Sequence, residues 1–350
     1  MVGSVAFAVP GDLATPTGGY AYDRRMIAEL KQLGWLVDLV DLGEGFPWPS
    51  NEVRSTAQTR LLAVPVDRTI VIDGLAFGVL PDIAALLRSR NPLIALVHHP
   101  LALESGLSVK QAAELHTDER TALTAASRVI VTSALTAKHL VADYAVPADR
   151  IDIARPGTDT APMAHGSDDG IVRLLSVGAV VPRKGFDVLV AALATLTDLP
   201  WRLTIVGDRS RDPKSAAQLD ADIVRLKLGS RITVLGAVSS ERLAELYASA
   251  DLFALASRFE GYGMAYAEAI AYGLPVIGTT AGAIPETVPA SAGMLVPPDD
   301  SHALAFGLRA LIENPDQRRR LTMGAREAAG RLPTWQESAK VFSHALEAAA

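Results

Sequence analysis

Glu260 and Glu268 stand either side of the turn Gly261-Tyr262-Gly263, after an apolar run and at the start of a helical pattern. Glycines there let the backbone approach a ligand closely, and the free N–H groups of a helix start favour a phosphate. Two carboxylates around such a turn can serve different parts of one ligand. Arg183-Lys184-Gly185 follows another strand-like run, Val172–Val177. Cations at that edge of a parallel sheet could neutralise a diphosphate and stabilise it as a leaving group. Gly18-Gly19, between the first strand and the first helix, could present backbone amides to a phosphate. Gly282, in Thr279–Glu286, again follows a strand and permits close backbone contact. Finally, His98-His99 directly follows Leu93–Val97. A histidine at a strand's C-terminal end could hydrogen-bond a substrate hydroxyl or act as a base. Adjacent histidines on an extended chain face opposite ways, and the chain has neither cysteine nor an HExxH spacing, so no metal site is expected. Each feature also has a plainer reading: a glycine turn with solvated acids, two surface cations, or a histidine satisfied in the structure. Their grouping carries more weight, because all five follow predicted strands.

Those strands must position them. Short β-branched or Leu-rich runs predict strands at Val2–Val9, Leu36–Leu39, Thr69–Ile72, Leu93–Val97, Arg128–Val131 and Ile151–Ile153. A second series follows at Val172–Val177, Arg202–Val206, Ile232–Leu235, Leu252–Ala256, Pro275–Gly278 and Met294–Val296. Amphipathic stretches separate them, among them Gly18–Leu33, Lys110–Ala126, Ser133–Tyr144, Asp187–Leu196, Ser239–Ala250 and Gly263–Tyr272. Alternating strand and helix predicts an α/β chain with parallel sheets covered on both faces. The turn-rich segment from Ala154 to Gly170 reads as a linker. The expected organisation is two Rossmann-like, doubly wound domains facing a cleft. Residues 1–158 form the first and 159–334 the second, with the final helix, 335–350, crossing back to the first.

The composition narrows the partners. The chain has 350 residues and a formal charge of −6, and neither half is basic, so nucleic acid is not expected. No apolar run approaches the roughly 18 residues of a membrane span, and the N-terminus has no basic leader. A cytoplasmic location is expected, and peripheral membrane contact is not indicated.

Taken together, these motifs resemble the family 4 retaining glycosyltransferases of the GT-B fold. Glu260–Glu268 matches that family's E-x7-E motif, Arg183-Lys184-Gly185 its phosphate loop, and Gly18-Gly19 its N-terminal glycine loop. His98, Gly207 after Leu203–Val206, and Gly282 near Pro285-Glu286 match as well. The resemblance implies a hexosyltransferase acting on a UDP- or GDP-linked sugar. Glu260 would hold the donor sugar and Glu268 the ribose hydroxyls. Lys184 and Arg183 would bind the diphosphate, Gly19 would approach the phosphates, and His98 would contact the sugar. Gly18, Gly207, Gly261, Tyr262, Gly263 and Gly282 would complete the donor-binding set. No cofactor or metal would be needed. The acceptor would be a sugar, a lipid-linked sugar or a small molecule. One departure stands out: where many members have arginine after the strand glycine, this chain has Ala179. Two other readings compete. A nicotinamide-dependent oxidoreductase would use Asp38 or Asp41 on the ribose, although GxGxxG is missing after the first strand. A non-catalytic nucleotide- or sugar-binding protein would use the same two-domain clamp.

Overall fold

Residues 3–349 are described by a computed structural model; Val2 of the expected first strand lies outside them. The chain divides into two compact units. One runs to Gly157 and resumes at Pro333; the other is Thr158–Leu332.

The first unit is built on six strands: β1 (Ser4–Val9), β2 (Leu36–Asp41), β3 (Thr69–Asp73), β4 (Leu93–Val97), β5 (Arg128–Val131) and β6 (Ile151–Ile153). All pair in parallel, in the order β2-β1-β3-β4-β5-β6. β3 and β4 are buried at every residue, as strands covered on both faces must be. Edge strand β2 instead leaves Leu36 and Leu39 exposed. The order reverses between β1 and β3, so the crevice of this sheet lies beyond their C-terminal ends.

Period-two alternation gives the sheet its two apolar faces. On β1, Ala6 and Ala8 join the core cluster that holds Ile70, Ile72, Ala95 and Val97. Phe7 faces the other way and stacks on Phe342, ring centroids 6.1 Å apart. Helix α1 (Gly18–Gln32) begins where the Thr17 hydroxyl accepts the Tyr20 N–H. Phe342 belongs to the final helix, Trp335–Ala349, which is part of this unit. That helix buries Trp335, Ala339, Phe342 and Leu346. Nε1 of Trp35 donates to its Ser343 hydroxyl at 2.9 Å. Gly157 meets it so closely that a Cβ there would come within 2.2 Å of the Trp335 nitrogen.

The second unit repeats the plan with β7 (Val172–Val177), β8 (Trp201–Val206), β9 (Ile232–Val234), β10 (Leu252–Ala254), β11 (Val276–Thr279) and β12 (Gly293–Val296). All six are parallel, in the order β12-β11-β10-β7-β8-β9. This is the 3-2-1-4-5-6 arrangement of dinucleotide-binding sheets, and its reversal lies between β7 and β10. The two units are therefore doubly wound alike but differ in strand order, which periodicity cannot reveal. Four of the observed strands, β4 to β7, have the predicted bounds, and the others differ from theirs by one or two residues at one end or both. Helix α2 (Met264–Ala271) starts one residue later than expected.

Candidate functional site

In the second unit the predicted residues gather where the strand order reverses. The turn after β7 carries Arg183 and Lys184; the turn after β10 carries Glu260. Lys184 Nζ donates to Oε1 of Glu260 at 2.6 Å. Arg183 donates to Oε2 at 3.3 Å and to the Phe259 carbonyl at 2.9 Å. The Ser257 hydroxyl adds a third donor to the carboxylate, 2.7 Å from Oε1. Burial alone would raise the Glu260 pKa. Lys184 and Arg183, with the Ser257 hydroxyl, outweigh burial and hold it at about 2. Glu260 is thus a buried carboxylate that keeps its charge, ringed by two cations.

The surrounding backbone is fitted to this arrangement. Gly282 has φ +58, and a Cβ there would lie 2.3 Å from the Glu260 carbonyl oxygen. Ala283 N–H donates to that same carbonyl at 2.9 Å. The first observed role of Gly282 is therefore to let the Glu260 loop settle against the turn after β11. Gly207 does likewise for the other turn: a Cβ there would lie 1.8 Å from the Gly178 carbonyl, and Gly178 in turn lies under the Lys184 side chain. Gly261 and Tyr262 form the bend between Glu260 and α2; Thr287 donates to the Tyr262 carbonyl at 2.6 Å. Gly263 takes φ +95 as the residue before α2, which has no side-chain cap, so the first N–H groups of that helix have no capping side chain.

Glu268 lies one turn into α2, not the two expected from an earlier start. Its Oε2 accepts from the Tyr247 hydroxyl at 2.9 Å. Burial raises its pKa, opposed by the Tyr247 hydrogen bond and by the Lys184 charge. Lys184 thus acts on both carboxylates of the motif. Ala179 supplies no cation, and Arg183, four residues further along the same turn, reaches Glu260.

The first unit gathers Gly18, Gly19 and His98 in the same way, beyond β1 and β4. Gly19, in the first turn of α1, lies against the His98 ring, with a virtual Cβ 3.4 Å from Cδ2. The Thr132 hydroxyl donates to the His98 carbonyl at 2.9 Å, and Tyr22 meets the ring edge-on. His99 turns instead to Glu104, 3.4 Å away. Nε2 of His98 lies 3.3 Å from Oδ1 of Asp23 and 3.3 Å from Oδ2 of Asp73. Their ligand atoms all lie within 4.8 Å, making this the one carboxylate–imidazole grouping among the described residues compact enough for a cation.

Sequence reading missed several contributors. Ser257, Tyr247, Asp23 and Asp73 bear on the predicted residues directly. Arg258 holds the two turns of the second unit together: its N–H donates to the Arg183 carbonyl at 2.7 Å, and its guanidinium pairs with Asp187 and Asp299. None belongs to a local pattern. Only Asp73 carried a signal, as a carboxylate ending a strand. The carboxylates weighed for an oxidoreductase are already engaged: Asp38 pairs with Arg68 at 2.7 Å and Asp41 with Arg60 at 2.6 Å.

Comparison with known proteins bears on the family and the fold. The family model "Glycosyl transferases group 1" matches residues 158–328, and "Glycosyltransferase Family 4" matches 24–162. A D-inositol 3-phosphate glycosyltransferase of Nocardioides sp. is 32% identical over 290 residues, covering 74% of this chain and 63% of that relative. The match thus spans under two thirds of the relative's length. Among solved structures, the sucrose-phosphate synthase of Thermosynechococcus elongatus superposes with a TM-score of 0.82 at 22% identity, covering 98% of both chains. Anabaena Alr3699/HepE, in complex with UDP and glucose, superposes with a TM-score of 0.75 at 19% identity, covering 98% of this chain and 99% of that one. With two parallel doubly wound sheets and a family match on each half, the chain belongs to the family 4 glycosyltransferases and has their GT-B fold.

Proposed function

We propose that this protein moves a hexose from a UDP- or GDP-linked sugar to an acceptor hydroxyl, with retention of configuration and without a metal. The observation that carries the reading is the Glu260 carboxylate held by Lys184 and Arg183 beyond β7 and β10. Two cations beside one buried carboxylate put positive charge where an anion would arrive at the same crevice.

In this reading Lys184 and Arg183 take the diphosphate as negative charge develops on its leaving oxygen. Glu260 holds the donor sugar near its reacting carbon. Gly261, Tyr262 and Gly263 let the chain approach the donor, with the start of α2 facing its phosphates. Glu268, steadied by Tyr247, receives the ribose hydroxyls. Gly207 and Gly282 keep the two turns close enough for this. Gly18, Gly19 and His98 are the first unit's own contribution to substrate binding. The bond from the sugar's anomeric carbon to the diphosphate breaks, and the acceptor oxygen bonds to that carbon on the same face. The acceptor's proton passes to the departing diphosphate.

The donor class is supported by a solved neighbour that holds UDP and glucose, and the transfer class by a relative named a D-inositol 3-phosphate glycosyltransferase. No helix among the described residues is long and apolar enough to cross a membrane, and we assign the protein to the cytoplasm.

The test is nucleotide release from UDP- and GDP-sugars with candidate acceptors, with and without EDTA, beside thermal shifts with UDP, GDP, ADP and NAD. Release that survives EDTA and stabilisation by UDP or GDP are expected. Stabilisation by NAD alone would overturn the transferase reading.

A further inference from the structure

The Asp23–His98–Asp73 grouping has an unusual charge balance. Asp23 and Asp73 are 0% and 2% exposed, and both oxygens of Asp23, together with Nε2 of His98, are sealed from solvent. Among the described residues, the Asp23 oxygens accept no hydrogen bond, and the group of opposite charge against them is the His98 ring at 3.3 Å. An uncompensated carboxylate in such a place is costly, and an imidazolium is the partner at hand. Asp73 is tied at its other oxygen, where Oδ1 accepts the Leu75 N–H at 2.8 Å, so its Oδ2 is aimed at the ring by the helix start that follows β3. α1 aims Asp23 from the opposite strand connection.

We propose that Asp23 and Asp73 are positioning residues that clamp Nε2 of His98 from two sides, fixing the ring as a cationic donor whose opposite edge is left for a ligand oxygen. This rests on the proposed role of His98 in substrate binding. The ring's walls are Gly19 and Tyr22; Tyr22 directs its own hydroxyl away, to the Ala154 carbonyl at 2.9 Å. His99, the neighbouring ionisable group on the same turn, is turned to Glu104. Among the described residues no other charge acts on the ring, so the two carboxylates decide its state. Burial lowers the His98 pKa, but the pair overrides burial and lifts it to about 10. Asp23 is itself raised to about 7, by burial first and by the Asp73 charge second.

The experiment uses the full chain, labelled with ¹³C/¹⁵N-histidine, and follows the His98 ring by NMR across pH, the resonance being assigned by its loss in His98→Gln. The wild-type ring should stay protonated beyond pH ~8, and Asp23→Asn should lower its midpoint by about one unit or more. Asp73→Asn, which keeps the oxygen that caps the helix, should do the same and stands in if Asp23→Asn does not fold. A wild-type ring titrating near its ordinary value, or a high midpoint that neither variant moves, overturns the proposal. So does stoichiometric zinc or manganese in the purified protein that Asp23→Asn abolishes. With a nucleotide-sugar donor, Asp23→Asn should cut kcat roughly tenfold to a hundredfold, with donor KM changed less than about threefold. The alkaline limb of the pH profile should move to lower pH; a wild-type kcat and profile would overturn the clamp. Should no donor turn over even in the wild type, the transferase reading fails while the ring titration still judges the clamp.

Discussion

The two units solve opposite problems at corresponding places. In the second, two cations surround one buried carboxylate; in the first, two buried carboxylates surround one imidazole. The same rule decides both. A lone minority charge is held in its ionised form by the majority, so Glu260 falls to about 2 while His98 rises to about 10. The majority side sets the character of each place: cationic beyond β7 and β10, anionic and sealed beyond β1 and β3. Cations beside a helix start suit a diphosphate. Surplus negative charge with no access to solvent suits only the ring it holds. In the roles proposed above, a similar crevice in a similar sheet serves as an anion grip in one unit and as a clamp on a side chain in the other.

The sharpest way to break this comparison is Lys184→Ala. It removes the shorter of the two ion pairs on Glu260 and leaves Arg183 as the other cation proposed to meet the diphosphate. Turnover at saturating donor should fall by about 10²–10³-fold with the fold intact by circular dichroism. Near-normal turnover would end the leaving-group role. Next in size is the packing on which the first unit's half depends. Phe342→Ala empties the contact with Phe7 and should destabilise the protein by roughly 3–5 kcal/mol in a denaturant titration. A loss under ~1 kcal/mol would mean the final helix is not integral to that unit. Smaller is Tyr247→Phe, which removes the hydroxyl steadying Glu268. It should raise donor KM several-fold, about the worth of one hydrogen bond to a charged group, with kcat little changed. Glu268→Gln should act in the same direction, and an unchanged donor KM in both would remove ribose contact from the reading.

The mildest test uses pH, where the two units should diverge. Glu260 has a lowered pKa, so its contribution to stability is complete above the ordinary value near 4.5 and lost as pH falls through about 2. Asp23 has a raised pKa, so its contribution is complete below about 3.8 and lost as pH rises through about 7. Glu119 follows the same sign. Burial lifts it to about 8 against hydrogen bonds from the Leu101 N–H and the Tyr144 hydroxyl. Melting temperatures should therefore drop on the acid side through the second unit and on the alkaline side through the first. Glu260→Gln should flatten only the acid branch, and Asp23→Asn or Glu119→Gln only the alkaline one, each by a few degrees. Variants that flatten the wrong branch would refute the assignment of charges to units.

Much of the site was readable because its residue types sit in local context. A cation pair after a strand, glycines around a helix start and a histidine ending a strand need only a few neighbouring residues to be noticed. The element pattern was readable for the same reason: short apolar runs buried on both faces and helices of period 3.6 write themselves into consecutive residues. The departure at Ala179 could likewise be seen, but not its answer in Arg183, which reaches Glu260 across 77 residues of chain.

By itself, then, the sequence determined the kinds of element, their order along the chain, and which side chains stand at the C-terminal ends of strands. Tertiary structure alone decided which strands are neighbours, and so which of those ends share a crevice. Strand order is a matter of long-range hydrogen bonding between edges that carry no distinguishing local mark. It also decided the charges. Asp23 and Asp73 look like any acid on a helix or at a strand end. Only when α1 and β3 seal them against His98 does desolvation turn two ordinary carboxylates into a clamp.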